Sequence, residues 1–146
     1  MTAVLTGTIV PRQPQLEIGI LNLQVTDIPA NSVVVADTTN DPATQLAANP
    51  GKVGLAVLEA TANGYPVGVT IDDMPAGAQG RMQIAGFIYC LNSAAGAIAA
   101  GAVVVPDTAG TIKTNPTGEP VLGVAWTAAA TTGDLVLVQI NICAKG

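Results

Sequence analysis

The chain has 146 residues, of which 49% are hydrophobic and only 10% are charged, and its formal net charge is −5. It contains no histidine and only two cysteines, which excludes histidine-based acid–base catalysis, histidine-dependent triads and the usual zinc sites within one chain. Five basic residues against ten acidic ones argue against nucleic acid as a partner, because phosphate recognition needs a basic patch.

The first 27 residues are predicted to form an N-terminal arm and a lead-in strand, ahead of a body that covers residues 28–146. Residues 2–10 alternate weakly, as in a strand. Pro11 and Pro14 then favour an extended connection, because each removes a backbone donor. Residues 16–25 alternate again. A second interpretation, an ordinary edge strand of the body, stays open, and no signal peptide is expected.

The body is predicted to consist of two similar halves, about residues 28–90 and 98–143. The pattern I-x-A-x-x-V-V-V-x-D-T occurs at residues 28–38 and again at 98–108, a spacing of 70. Residues 66–69 match 121–124, and residues 80–84 match 133–137. Each half is therefore expected to contain three strands joined by turns, and the first half is longer by residues around 40–52.

Short strands between turns predict an all-β fold, a small barrel or sandwich. The Val triplets at 33–35 and 103–105 and the alternating residues 135–142 are typical of strands, and pairs such as Asn63-Gly64 are typical of turns. Helix is expected only in short pieces, at residues 42–48 or 93–100.

One stretch, residues 82–106, runs for 25 residues without a charge, which is long enough to cross a bilayer. It contains Gln83, Asn92, several glycines and a closing proline, and no basic cluster flanks it. No membrane association is predicted.

The acidic residues offer one candidate metal site. Asp72 and Asp73 are adjacent, and with Asp37 or Asp107 they could surround Ca²⁺ with oxygen atoms. A turn explains the pair better, and Asp37 and Asp107, each following a Val triplet, are expected to bond to the turn backbone. No metal and no other cofactor is predicted.

Cys90 and Cys143 occupy matching ends of the two halves. A disulfide would require their Cα atoms to lie within about 7 Å, and two small buried thiols are the preferred interpretation, in keeping with synthesis in a reducing cytoplasm. Trp126 is predicted to be a core residue. Tyr65, next to a turn, is predicted to be a turn or interface ring.

No nucleophile stands beside a recognisable base, and the basic residues are too scattered to form a ligand site: Arg12, Lys52, Arg81 and Lys113. The protein is predicted not to be an enzyme. One catalytic alternative stays open, in which three subunits assemble a site at their junction.

Four segments together resemble the decoration, or cement, proteins of tailed-phage capsids: residues 68–71, 83–89, 94–105 and 123–138. The resemblance covers about residues 28–143. It rests on the composition and order of three features: strands that begin with a glycine and a hydrophobic residue, Ala-Gly turns, and a final Gly-Asp turn. The longer first half, with its residues 37–52, departs from that pattern. The resemblance implies a homotrimer on the outer surface of the virion, bound to the major capsid protein at three-fold or quasi-three-fold positions, where it stabilises the shell.

The resemblance also implies an N-terminal segment that reaches onto the shell or a neighbouring subunit. The residues expected to make this contact are Val4, Leu5, Ile9, Val10, Pro11, Arg12 and Pro14. They lie outside the repeat and can extend without deforming the body. An uncharged, apolar surface also calls for a partner that covers it. The alternative function, a carbohydrate-binding or adhesin-type β module, is disfavoured because the chain has only four aromatic residues.

Overall fold

The structure is a computed structural model that describes residues 16–39, 54–115 and 117–143. Within these residues the chain forms nine strands and a single turn of 3-10 helix at Thr108–Gly110, so the prediction of an all-β fold is confirmed. The strands are β1 Leu16–Asn22, β2 Val33–Ala36, β3 Leu55–Glu59, β4 Pro66–Thr70, β5 Gln79–Leu91, β6 Val103–Pro106, β7 Ile112–Thr114, β8 Val121–Ala125 and β9 Leu135–Cys143.

The first half forms a closed five-stranded barrel. Its strand order is β1-β3-β2-β4-β5, and the barrel closes because β1 pairs both with β3, in parallel, and with β5, antiparallel. Six buried apolar side chains fill the interior: Ile20, Ile28, Val34, Val57, Met74 and Met82. Alternation places the four strand residues inside, because successive side chains of a strand point to opposite faces. Ile28 and Met74 pair with each other in an isolated bridge outside the strands.

The second half is a curved sheet that shares β5 with the barrel. Its order is β5-β9-β8-β6-β7, and a parallel bridge between Asn92 and Ile112 brings β7 beside the end of β5. The inner face packs on the barrel, where Val33 and Val69 are fully buried in the same cluster as Val104. This second sheet therefore leaves only its outer face free of the barrel.

The pairing order is the same in both halves, β3-β2-β4-β5 and β7-β6-β8-β9. Each half thus has four strands where three were predicted. The missed ones, β3 and β7, have five and three residues, and β7 is too short for an alternating pattern to identify it. Three-dimensional equivalence of the halves stays a prediction.

The register agrees with two of the three matched sequence blocks and corrects the third. Val34 pairs with Gly68 as Val104 pairs with Gly123. Thr70 pairs with Met82 and Ala125 with Val138. Met82 therefore corresponds to Val138, whereas the sequence comparison had aligned residue 82 with residue 135.

Two buried asparagines indicate that the end of β1 in the first half corresponds to the end of β5 in the second half. Asn22 Nδ2 donates to Thr26 O at 2.8 Å, and Asn92 Nδ2 donates to Gly96 O at 3.1 Å, each four residues ahead. The sequence analysis missed this pair, although the pattern I-x-x-L-N occurs at residues 18–22 and 88–92 with the same spacing of 70. By its pairing β1 is a barrel strand. The division into an arm and a body stays a prediction.

Two further expectations concern local structure. Residues 93–100, one of the predicted helical pieces, form turns and an isolated bridge at Ile98 instead of a helix. The other piece, residues 42–48, lies outside the described residues. In the part of the chain that the structure describes, no helix has the length and apolar character needed to cross a membrane.

Candidate interaction surface

The residues predicted to contact a partner lie outside the described part of the chain: Val4, Leu5, Ile9, Val10, Pro11, Arg12 and Pro14. Their chain enters the barrel at Leu16, the first residue of β1, whose side chain is exposed. The contact proposed for them stays a prediction.

The outer face of the second sheet carries several exposed apolar side chains. Alternation directs one set of side chains from β5, β9, β8 and β6 away from the barrel. We call the apolar members of this set, with Trp126 directly after β8, the apolar face: Phe87, Tyr89, Leu91, Val103, Val124, Trp126, Leu135 and Leu137. The polar side chain of Gln139 lies among them. It contains three of the four aromatic residues of the chain.

Trp126 lies in the middle of the apolar face. Its ring meets Phe87 edge-on, with centroids 5.1 Å apart and an interplanar angle of 84°. Its Nε1 donates to Gln139 Oε1 at 3.1 Å. The side chain is nevertheless 56% exposed, so the prediction that Trp126 is a core residue is wrong. The buried position belongs to its neighbour Ala125, because consecutive residues face opposite sides of the sheet.

The other members of the face meet in cross-strand pairs. Tyr89 is opposite Leu137, and Leu91 is opposite Leu135. Val103 is opposite Val124. Tyr89 is 48% exposed and Leu135 is 50% exposed. Val124 is in turn opposite Gln139, so this polar side chain lies between the β5–β9 pairs and the β8–β6 pair.

One position of the apolar face has a charged counterpart on the barrel. Ile71 N donates to Arg81 O, and Trp126 N donates to Leu137 O. Arg81 N in turn donates to the Asp72 carboxylate, and Leu137 N donates to Thr127 Oγ1. Leu137 therefore occupies the place that Arg81 has in the barrel.

Arg81 makes an exposed ion-pair network on the barrel. Its guanidinium lies 3.2 Å from Glu17 Oε2 and 2.9 Å from Asp72 Oδ1. Hydrogen bonding to Arg81 lowers the pKa of Asp72. The barrel therefore presents the charged, hydrogen-bonded Arg81 where the second sheet presents Leu137.

The remaining acidic residues act mainly within turns. Asp37 Oδ1 accepts from Thr39 N at 2.9 Å, and Asp73 Oδ1 accepts from Ala30 N at 2.8 Å. Asp107, also expected to bond to its turn, makes no such cap. Its carboxylate lies 3.9 Å from Lys113 Nζ. Among the described residues no three His, Cys, Asp or Glu side chains group as metal ligands would.

The two cysteines are free. Cys90 is buried as predicted, and burial raises its pKa far above the usual value. Cys143 is exposed at the end of β9, so the prediction that it is buried is wrong. Tyr65, predicted to be a turn or interface ring, is exposed after the turn at Asn63 and Gly64.

Comparisons with known proteins identify the family. The fold is similar to a solved structure described as the crystal structure of head fiber gp8.5 N base in bacteriophage phi29, with a TM-score of 0.61 and 16% sequence identity over 86% of this chain and 95% of that chain. Comparison with curated protein sequences finds no match. A family model described as phage cement protein matches residues 23–140. The chain therefore belongs to the phage cement proteins, a family of structural proteins associated with the phage capsid.

Proposed function

We propose that the protein is a capsid decoration protein. It binds the outer surface of a phage shell as a homotrimer, at three-fold or quasi-three-fold positions, contacts the major capsid protein and stabilises the shell. The observation that carries this proposal is the family match over residues 23–140. The solved phage head structure with the same fold supports it.

The surface chemistry of the chain agrees with a structural role. An apolar face of eight outward side chains, without one charge among them, is a surface that a partner normally covers. The chain contains no histidine, and the burial of the Cys90 thiol makes it a poor nucleophile. These features favour assembly over catalysis.

One alternative has a specific observation in its favour. Exposed aromatic rings such as Trp126 and Tyr89 are the side chains on which carbohydrate-binding modules stack sugars. Here the cross-strand neighbour of Tyr89 is Leu137, and the polar neighbour of Trp126, Gln139, already accepts the hydrogen bond from its Nε1. A sugar site needs several polar groups that orient hydroxyls. The decoration function is therefore preferred.

Co-sedimentation with expanded empty capsids tests the proposal. We expect saturable binding at a fixed ratio to the major capsid protein and a higher dissociation temperature of the decorated shells. A density map of the particles should contain one trimer at each three-fold or quasi-three-fold position. Unexpanded shells are the comparison particle, and a glycan array is run in parallel. Absence of sedimentation together with glycan retention would replace decoration by carbohydrate binding.

A further inference from the structure

We infer that Asn63 and Gly64 form a site of spontaneous covalent modification, at which the Asn63 side chain loses its amide group and becomes aspartate or isoaspartate. The only co-reactant is water, and no enzyme takes part. The inference goes beyond the proposed function and does not depend on it, because the reaction needs only the isolated chain.

The reaction is an attack of a backbone nitrogen on the preceding side chain. Asparagine is one of the thermolabile residues, and Asn63 is the only asparagine of the chain that precedes a glycine. Gly64 has no side chain that hinders the approach to its nitrogen. A bond forms between Gly64 N and Asn63 Cγ, and the bond from Cγ to Nδ2 breaks, so that ammonia leaves with the proton of Gly64 N.

Water then opens the five-membered ring that this attack closes. Hydrolysis of the bond between nitrogen and Cγ gives aspartate. Hydrolysis of the bond between the same nitrogen and the main-chain carbonyl carbon gives isoaspartate, in which the chain runs through the side chain and is longer by one carbon atom. Both products carry a carboxylate where Asn63 had a neutral amide.

The site lies in an exposed turn between β3 and β4. Asn63 is exposed and has a φ of +65°, which suits the third residue of a turn. Gly64 N closes this turn by donating to Thr61 O at 3.0 Å, and that hydrogen bond must break before the nitrogen attacks. Turns at the surface open locally at a small fraction of the free energy of global unfolding, so the nitrogen becomes available in the folded chain.

Two other asparagines precede serine and are held more firmly. The amide after Asn31 is buried, because Ser32 N donates to Thr70 Oγ1 of β4 at 3.0 Å. The amide after Asn92 donates to Ile112 O of β7 at 2.9 Å. Either nitrogen is released only when strands of the body separate, so Asn31 and Asn92 are internal references for the reaction at Asn63.

Isoaspartate at position 63 should loosen the connection between β3 and β4. These strands lie on either side of β2, and the turn packs closely on it: a Cβ added at Gly64 would lie 3.0 Å from Val35 Cγ1 and 3.0 Å from Thr61 O. An extra backbone carbon directly before Gly64 moves this residue away from its contact with Val35 and from its hydrogen bond to Thr61. The modified chain is therefore expected to be less stable.

Peptide mapping by mass spectrometry tests the reaction. The full chain is incubated folded, near neutral pH and at physiological temperature, and aspartyl and isoaspartyl peptides are separated at each asparagine. We expect Asn63 to convert at least about tenfold faster than Asn31 and Asn92, with isoaspartate among the products. Asn63 that reacts no faster than these two overturns the inference.

Thermal unfolding of the incubated protein tests the consequence. Asn63→Gly is the matched control, because glycine suits the same turn position and has no amide to lose. We expect the unfolding midpoint of the incubated wild type to fall by about 2–4 °C, and that of incubated Asn63→Gly to stay unchanged. Asn63→Asp adds the charge without the extra carbon and should keep the midpoint of the fresh wild type. An equal loss in Asn63→Asp, or no loss after isoaspartate has formed, contradicts the loosening of the turn.

Discussion

Glu59 is a carboxylate placed where the fold disfavours its charge. It ends β3, opposite Val34 of β2, and is partly buried. Burial raises the pKa of Glu59, because a carboxylate loses hydration when it leaves water. The charged form is therefore less favourable in the folded chain than in the unfolded one. Wild-type stability falls as the pH rises through the folded pKa.

Glu59→Gln should remove this loss. The variant keeps the shape of the side chain without the charge, so we expect it to be more stable than the wild type at neutral pH by up to about 0.5 kcal/mol, the size typical of partly exposed positions. Below about pH 4 the difference should vanish. Urea unfolding at several pH values measures it. Glu17→Gln, which removes a carboxylate paired with Arg81, is the control and should give no gain. A gain that is constant across the pH range would contradict the charge explanation.

Single residues also mark the limit of what the sequence predicts. The strand around Trp126 could be predicted, but its facing could not, because Ala125 and Trp126 are both apolar and only the packing decides which one is buried. The burial of Cys143 was predicted wrongly for a similar reason, since residues at matching positions of two halves need not be equally buried. The apolar face was missed because its members come from four strands whose pairing order the sequence does not contain.

At the scale of the strand, close backbone approach decides which residues fit. Gly123 of β8 lies so near β9 that an added Cβ would overlap the Gln139 carbonyl oxygen and approach Asn141 N to 3.1 Å. At the corresponding Gly68 of β4, an added Cβ would lie 2.8 Å from Gln83 O and 2.8 Å from Met82 Sδ. The first overlap is entirely with backbone, whereas part of the second is with a flexible side chain.

Gly123→Ala should therefore be the more damaging of two identical substitutions. We expect a loss of about 3 kcal/mol for Gly123→Ala and about 1 kcal/mol for Gly68→Ala, within the usual range for overpacking. Chemical denaturation at neutral pH compares the two directly. Equal losses of stability in the two variants would contradict this explanation. They would mean that β8 and β9 can move apart to accommodate the added Cβ at no extra cost in free energy.

The strands themselves were largely predictable. The two Val triplets and residues 135–142 appear as β2, β6 and β9, because β-branched and alternating residues suit a half-buried pleated surface. The closure of the barrel was not predictable. It depends on β1 pairing with both β3 and β5, a contact between segments far apart in the sequence.

At the scale of the whole molecule, the N-terminal residues and the body are expected to have separate tasks. Deleting residues 2–14 leaves β1 intact from Leu16, so we expect a folded, β-rich protein whose capsid binding is weaker by about tenfold or more. The affinity that we expect to be lost is that of backbone pairing between these residues and a sheet edge of the partner. Circular dichroism and capsid co-sedimentation under dilution measure the two properties.

Deletion of residues 144–146 is the matched control for that experiment and should leave binding unchanged. Failure of the N-terminal deletion variant to fold would make residues 2–14 part of the barrel. Unchanged occupancy would place the capsid contact on the body alone.

The continuity of β5 has a mechanical consequence. Its 13 residues run from the barrel into the second sheet, and the change of partner takes place at Gly86, the first residue paired with β9, whose φ is +91°. Gln83 Nε2 donates to Ala85 O and Phe87 O, on either side of that glycine. A force applied to the second sheet therefore passes into the barrel through one continuous strand, which couples the two halves mechanically at Gly86.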